Sequence, residues 1–210
     1  MRPGRAETAL FAACFAVAAL VGLTLVWADR SAYPLLAPQR SGLDAGAELA
    51  RRLTLHSAWV DFVTGRAAQQ PAGGGFTDDE RRHMDDVRTV FVAAQAASLV
   101  ALVGLAVLAV RARRRGALAR LARNGALGAA LLVAAVGAFA ALAFDAAFTL
   151  FHEVFFPQGN WSFPPGSELL RIYPAAYFYG IAIAISVSFL ALAAAVVAAG
   201  HLAASRGSAR

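Results

Sequence analysis

Two histidines, each with an acid at helical spacing, are the residues of this chain best suited to proton chemistry. His83 opens the run His83-Met84-Asp85-Asp86-Val87, and Asp86, three residues on, shares its helix face. A carboxylate so placed can hold an imidazole in one tautomer. His152 opens His152-Glu153-Val154-Phe155-Phe156-Pro157, and Asp145, seven residues earlier, falls on the same face two turns away. Imidazole gains and loses its proton near neutral pH, so such a pair suits general acid–base work. From spacing alone, the His83 motif also fits a capped, solvated helix start. Asp145 equally fits a bond to a neighbouring helix or a protonated carboxyl. His56 reads as an interfacial histidine and His201 as an exposed end residue.

What is missing narrows the chemistry. The chain has no Gly-x-Ser-x-Gly elbow, no His-Glu-x-x-His pair, and no Walker or dinucleotide glycine loop. One cysteine, Cys14, excludes an intramolecular disulfide and a cysteine-rich metal site. It is expected to be a small hydrophobe within an apolar helix. Acyl or proton transfer must then use histidines, acids, hydroxyls and arginines.

The elements that position these groups follow from composition. Of 210 residues, 59% are hydrophobic and 15% charged, whereas soluble domains carry about 25% charged residues. A helix needs roughly 20 apolar residues to cross a bilayer. Four stretches qualify, at about 9–27, 89–110, 126–151 and 173–199. The expectation is an all-α polytopic membrane protein, one integral membrane domain over 1–210, with outer segments 28–88 and 152–172. The first span is read as an uncleaved anchor rather than a signal peptide.

Arginines in short flanking segments set the orientation. Arg2 and Arg5 precede the first span. Arg111, Arg113, Arg114, Arg115, Arg120 and Arg123 crowd the loop between the second and third, and Arg206 and Arg210 follow the fourth. These segments are expected on the cytoplasmic side, near anionic lipid. The net charge of +6 is thereby a topology signal, not a nucleic-acid surface. Both termini are then cytoplasmic, and His56, His83 and His152 face outward. Trp27, Tyr33, Trp59, Phe155, Phe156, Trp161, Phe163, Tyr173, Tyr177 and Tyr179 gather on that outer side, where headgroup-level aromatics are expected.

Residues 29–42 read as irregular. Over 44–65, Ala45, Leu49, Leu53, Val60 and Val63 recur at helical spacing, with Glu48, Arg51, Arg52 and Asp61 mostly off the stripe. Such a helix lies on the membrane surface or covers the bundle. A Gly/Pro turn region at 69–75 leads to Thr77-Asp78-Asp79-Glu80, a capping box. The helix it starts is predicted to run unbroken into the second span. His83 lies in its second turn, six residues or roughly 9 Å before Thr89.

The residues also carry a resemblance. Phe76-Thr77-Asp78-Asp79-Glu80-Arg81-Arg82-His83-Met84-Asp85-Asp86-Val87-Arg88 is one motif. Phe151-His152-Glu153-Val154-Phe155-Phe156, then Asn160-Trp161-Ser162-Phe163, then Leu169 to Pro174 and Phe178, is the other. Together they resemble the bacterial lipoprotein intramolecular transacylase (Lit) family and related four-span membrane proteins. The resemblance implies transfer of the sn-2 acyl chain of a diacylglyceryl lipoprotein to the α-amino group of its own N-terminal Cys, giving the lyso-form. It implies His83 and His152 as the essential pair, and lipoproteins and membrane lipid as partners, with no cofactor and no metal. On this basis His83, oriented by Asp86, is expected as the general base. His152 polarises the carbonyl or protonates the leaving oxygen, and the two roles are exchangeable. Trp161, Asn160 and Arg171 are the expected oxyanion donors. The rivals weighed are a metal- or haem-binding membrane protein and a non-catalytic membrane assembly factor.

Overall fold

The computed structural model describes residues 3–38 and 44–208, with side chains through residue 203. Arg2, Arg210, the Arg206 side chain and the part of the irregular segment over 39–42 lie outside the described residues. Every regular element among those described is helical. In chain order they are α1 (Arg5–Trp27), α2 (Tyr33–Leu36), α3 (Ala45–Val63), α4 (Asp78–Arg114), α5 (Leu118–Leu142), α6 (Phe144–Phe155), α7 (Glu168–Ile172) and α8 (Ala175–Ser208). Helices α1, α4, α5 and α8 are long and apolar enough to cross a membrane.

The chain forms two compact units, one of residues 1–23, 95–138 and 185–210, the other of 24–94 and 139–184. In the first, α1, α4, α5 and α8 close around Phe11, Phe15, Leu121 and Phe189. Small residues let the backbones approach. A Cβ added at Gly125 would strike the Phe11 ring, and one at Gly137 would sit 2.9 Å from the Ser186 hydroxyl. Arg115 of the basic loop pairs with Glu7.

The second unit carries the histidines. Its core gathers Tyr33, Trp59, Phe62, Phe76, Met84, Leu169, Ile172, Tyr173 and Tyr177. Several aromatics expected at headgroup level are therefore interior, with Tyr33 and Trp59 both 0% exposed. A buried tyrosine needs a partner for its hydroxyl, and Tyr33 donates to the Ile172 carbonyl at 2.6 Å. Helix α3 is packed on more than its apolar stripe. Arg52, expected off the stripe, is buried, donating to the Tyr33 hydroxyl at 3.0 Å and the Pro38 carbonyl at 3.2 Å. His56 is not interfacial either. It is buried between the Tyr173 hydroxyl and the Ala28 carbonyl, each at 3.0 Å. Stripe-counting overlooks such residues because it asks only where apolar side chains fall. His201 is exposed, as expected.

The capping box forms in full. Thr77 N–H donates to Glu80 Oε2 at 2.8 Å, and Glu80 N–H donates to the Thr77 hydroxyl at 3.2 Å. From it α4 runs unbroken for 37 residues. The third apolar stretch differs from expectation. It is two helices, parted where Ala143 leaves helical geometry at φ −138 and ψ 55. No Gly or Pro marks the break, and Ala143 keeps both its backbone bonds, to Phe139 O at 2.9 Å and from Ala147 N at 3.0 Å. Local propensity gives no reason for it. The tertiary contacts do, since Phe144 and Phe148 of α6 pack against Tyr179 and Phe178 of α8.

Candidate active site

Two elements far apart in sequence meet at a pair of imidazoles. The capping box starts α4 at Asp78 and so sets His83 in its second turn. The break at Ala143 starts α6 afresh, and its last turn presents His152. The two rings lie 6.2 Å apart and nearly parallel, at 24°. Both residues are buried, 7% and 6% exposed. Their walls are aromatic. Phe156 and Phe163 lie 4.8 and 5.6 Å from the His83 ring, and Phe148 and Trp161 lie 4.0 and 4.9 Å from the His152 ring.

The ring nitrogens are not equivalent. His152 Nδ1 lies 2.8 Å from the Phe148 carbonyl. A carbonyl only accepts, so Nδ1 carries the hydrogen and Nε2 of the neutral ring holds the lone pair. His83 Nδ1 is buried with no hydrogen-bond partner. An orphaned polar atom in a buried site needs an explanation, and a reacting group of a bound substrate is one.

His83 precedes the apolar run of α4, which starts at Thr89 in the sequence, and α6 is not among the helices long and apolar enough to cross a membrane. Burial pushes the His83 imidazole down to about 4, and the neighbouring His152 adds to the shift, while a hydrogen bond to the Asn160 side chain and the charge of Asp86 oppose it. Burial lowers His152 as well, partly offset by its bond to the Phe148 carbonyl. Both rings are neutral at physiological pH, the state a general base requires.

The other expected residues are placed differently. Asp86 makes no direct bond to His83. Its Oδ2 accepts from Gln158 Nε2 at 2.8 Å and from Asn160 Nδ2 at 2.5 Å, so it anchors the segment after α6. Asn160 is at the site, with one of its two amide N–H groups donated to Asp86. Trp161 lies against His152. Asp145 is exposed. The break makes it a first-turn residue of α6, where free N–H groups favour a carboxylate. The segment that folds back over His152, through Phe156 and Trp161, covers that turn of the shared face. Arg171 is also exposed, with its guanidinium 3.5 Å from Glu168. The sequence reading missed Gln158, Phe148 and the anchoring role of Glu80. Polar Gln158 and Asn160 within an otherwise aromatic stretch were the available signal. Among the described residues no group of three or more His, Cys, Asp or Glu side chains is placed to hold a metal.

The sequence model of the family described as lipoprotein intramolecular transacylase Lit matches residues 47–178, well over half of the chain and inclusive of both histidines. The chain belongs to this family. Among solved structures, it is similar to the membrane-integral lipoprotein intramolecular transacylase Lit of Bacillus cereus. The TM-score is 0.82 at 15% identity, over 98% of each chain. A variant of that enzyme with one histidine replaced by alanine matches at TM-score 0.74 and 15% identity, over 98% of this chain and 96% of that one. A histidine-to-arginine variant matches at 0.66 and 17% identity, over 96% and 89%. At such identities the likeness speaks for the fold, a membrane-integral helical one. No curated protein sequence matches.

Proposed function

We propose that the protein moves the sn-2 acyl chain of a diacylglyceryl lipoprotein to the α-amino group of the lipoprotein's own N-terminal Cys, with His83 and His152 as the acid–base pair. It would do so in the bacterial cytoplasmic membrane, with both termini cytoplasmic and the site at the outer face, as the arginine distribution suggests. The observation that carries the reading is the buried, neutral, facing imidazole pair, one nitrogen of which has no protein partner.

The chemistry suits these groups. An α-amine has an ordinary pKa near 8 and attacks an ester only after losing a proton. The lone pair on His152 Nε2 can take a proton from the attacking nitrogen. The new N–C bond forms at the ester carbonyl, the bond from that carbon to the glycerol oxygen breaks, and the oxygen takes a proton from an imidazole. The net change is one acyl group moved from oxygen to nitrogen and one proton moved the other way. No water, cofactor or enzyme-bound acyl group is needed. Donor and acceptor belong to one molecule, so holding them in register supplies a large effective molarity. The unpartnered His83 Nδ1 supports a role at the carbonyl or leaving oxygen. The Trp161 indole N–H beside His152 and the second amide N–H of Asn160 are the oxyanion donors from the residues considered. The aromatic walls exclude water that would otherwise hydrolyse the ester.

Mass spectrometry of a reporter lipoprotein's N-terminal lipopeptide, in a host without other N-acylating enzymes, tests this. The expected product carries one acyl group shifted from glycerol to the Cys amine, lost with His83→Ala and with His152→Ala. Full product from both variants would overturn the assignment.

A further inference from the structure

Glu80 does more than close a capping box. It is 1% exposed, and its partners are neutral donors. Oε2 accepts the Thr77 N–H at 2.8 Å and the Thr77 hydroxyl at 3.2 Å. Oε1 is not needed for the cap. It accepts the backbone N–H of Leu169 at 2.7 Å, across 89 residues of sequence. Leu169 lies in the first turn of α7, where backbone donors lack helical partners. Ser167 caps only Leu170, at 3.3 Å. Three residues beyond His83 stands Asp86, which holds Gln158 and Asn160. The two carboxylates thus sit one turn before and one turn after His83 on a single helix. Each grips one end of the segment 158–169. That segment carries Trp161, which lies on His152, and Phe163, which lies on His83.

We propose that residues 158–169 form a strap buckled to α4 at both ends, and that Glu80 is a positioning residue which, through Leu169, keeps Phe163 seated on His83 and water off the imidazole. The proposal rests on the reading of His83 and His152 as the reacting pair. A buried carboxylate is tolerated only when well hydrogen-bonded, so the Leu169 bond also accounts for the interior position of Glu80. Loss of that bond frees the trailing end of the strap and hydrates the ring beneath Phe163. The titratable groups acting on His83 are His152 from α6 and Asp86 from its own helix. The strap's own acid, Glu168, is taken up by Arg51 and Arg171.

The test uses the full-length protein in detergent with Glu80→Gln, whose amide can offer an acceptor to only one of the two N–H groups. Hydrogen–deuterium exchange read by mass spectrometry follows the strap without reference to activity. Amide exchange over 161–169 is expected to rise about tenfold, with 118–130 of α5 unchanged. Reporter transacylation is followed in parallel from pH 7 to pH 5. The substrate amine alone makes the rate fall about one decade per pH unit. Hydration raises the His83 imidazole towards its ordinary value near 6.5, so in the variant this ring takes up a proton within the range and the profile is expected to depart from the single decade per unit of the wild type, with kcat lowered about tenfold and KM roughly unchanged.

Unchanged exchange over the strap would overturn the clamp. Raised exchange with an unaltered pH profile and kcat would overturn the positioning role. A wild-type protein without N-acyl product would instead sink the transacylase reading and the positioning role resting on it, while the exchange arm still decides the strap. If Glu80→Gln does not insert, Asp86→Asn at the other buckle is judged by the same measurements, with exchange expected to rise over 158–163.

Discussion

His56 and His83 are both buried in the same compact unit, and burial pushes each down to about 4. They differ in what their nitrogens touch. Both ring nitrogens of His56 are taken, one by the Tyr173 hydroxyl and one by the Ala28 carbonyl. His83 Nδ1 has nothing. Desolvation is therefore common to a histidine with both nitrogens bonded and to one with a nitrogen left unpartnered. Hydrogen-bond satisfaction separates them, because a structural polar group is placed to recover its lost water contacts and a reacting group is placed to wait for another molecule.

The sharpest way to break the contrast is to delete each ring. His83→Ala and His152→Ala are each expected to lower the rate of N-acyl product formation by about 10²–10⁴-fold while leaving membrane insertion and the thermal unfolding midpoint nearly unchanged. His56→Ala should show the opposite pattern. It orphans a buried hydroxyl and a buried carbonyl, at about 1–3 kcal/mol each, which a thermal melt in detergent would register. The rate per folded molecule should stay roughly unchanged. A melt unaffected by His56→Ala, or a large fall in the rate per folded molecule of that variant, would erase the distinction.

Acid titration sharpens it. A histidine whose folded value lies below its unfolded value near 6.5 takes up protons on unfolding, so protons favour the unfolded chain. Stability is present above about 6.5 and falls as the pH drops from there towards 4. His56→Ala should flatten that fall in a series of melts. Wild-type activity should fall with the substrate amine, about one decade per pH unit, over the part of this range in which the lowered imidazoles remain neutral. The smallest effects are expected at residues that spacing suggested and the fold leaves outside. Asp145→Asn and Arg171→Ala should each change the rate by no more than about twofold, as exposed positions generally do. A large loss at either would return it to the site.

Much of this was legible in the chain. Four apolar stretches, the capping box at Thr77 and Glu80, and the unbroken α4 followed from composition and local pattern. So did the pairing of His83 with His152, through the two motifs shared with the Lit family. Partner choice was not legible. The spacing of Asp86 and His83 on one face was read as a direct bond, yet the carboxylate reaches across to Gln158 and Asn160. Asp145 and His152 share a face, yet only one is covered. Helical periodicity reports the direction of a side chain along its own element and is silent on what another element brings to meet it. For the same reason Tyr33, Trp59 and Arg52 looked like surface residues and proved interior.

The sequence by itself determined a helical membrane protein, its family and its two candidate histidines, because hydrophobic length, caps and short motifs are local properties of a chain. Tertiary structure alone decided the break at Ala143, the orphaned nitrogen of His83, and the grip of Glu80 on Leu169. Each of these depends on a hydrogen bond made, or left unmade, or on a ring contact, between groups that come together only when distant segments pack. Such contacts have no period in sequence from which they could be read.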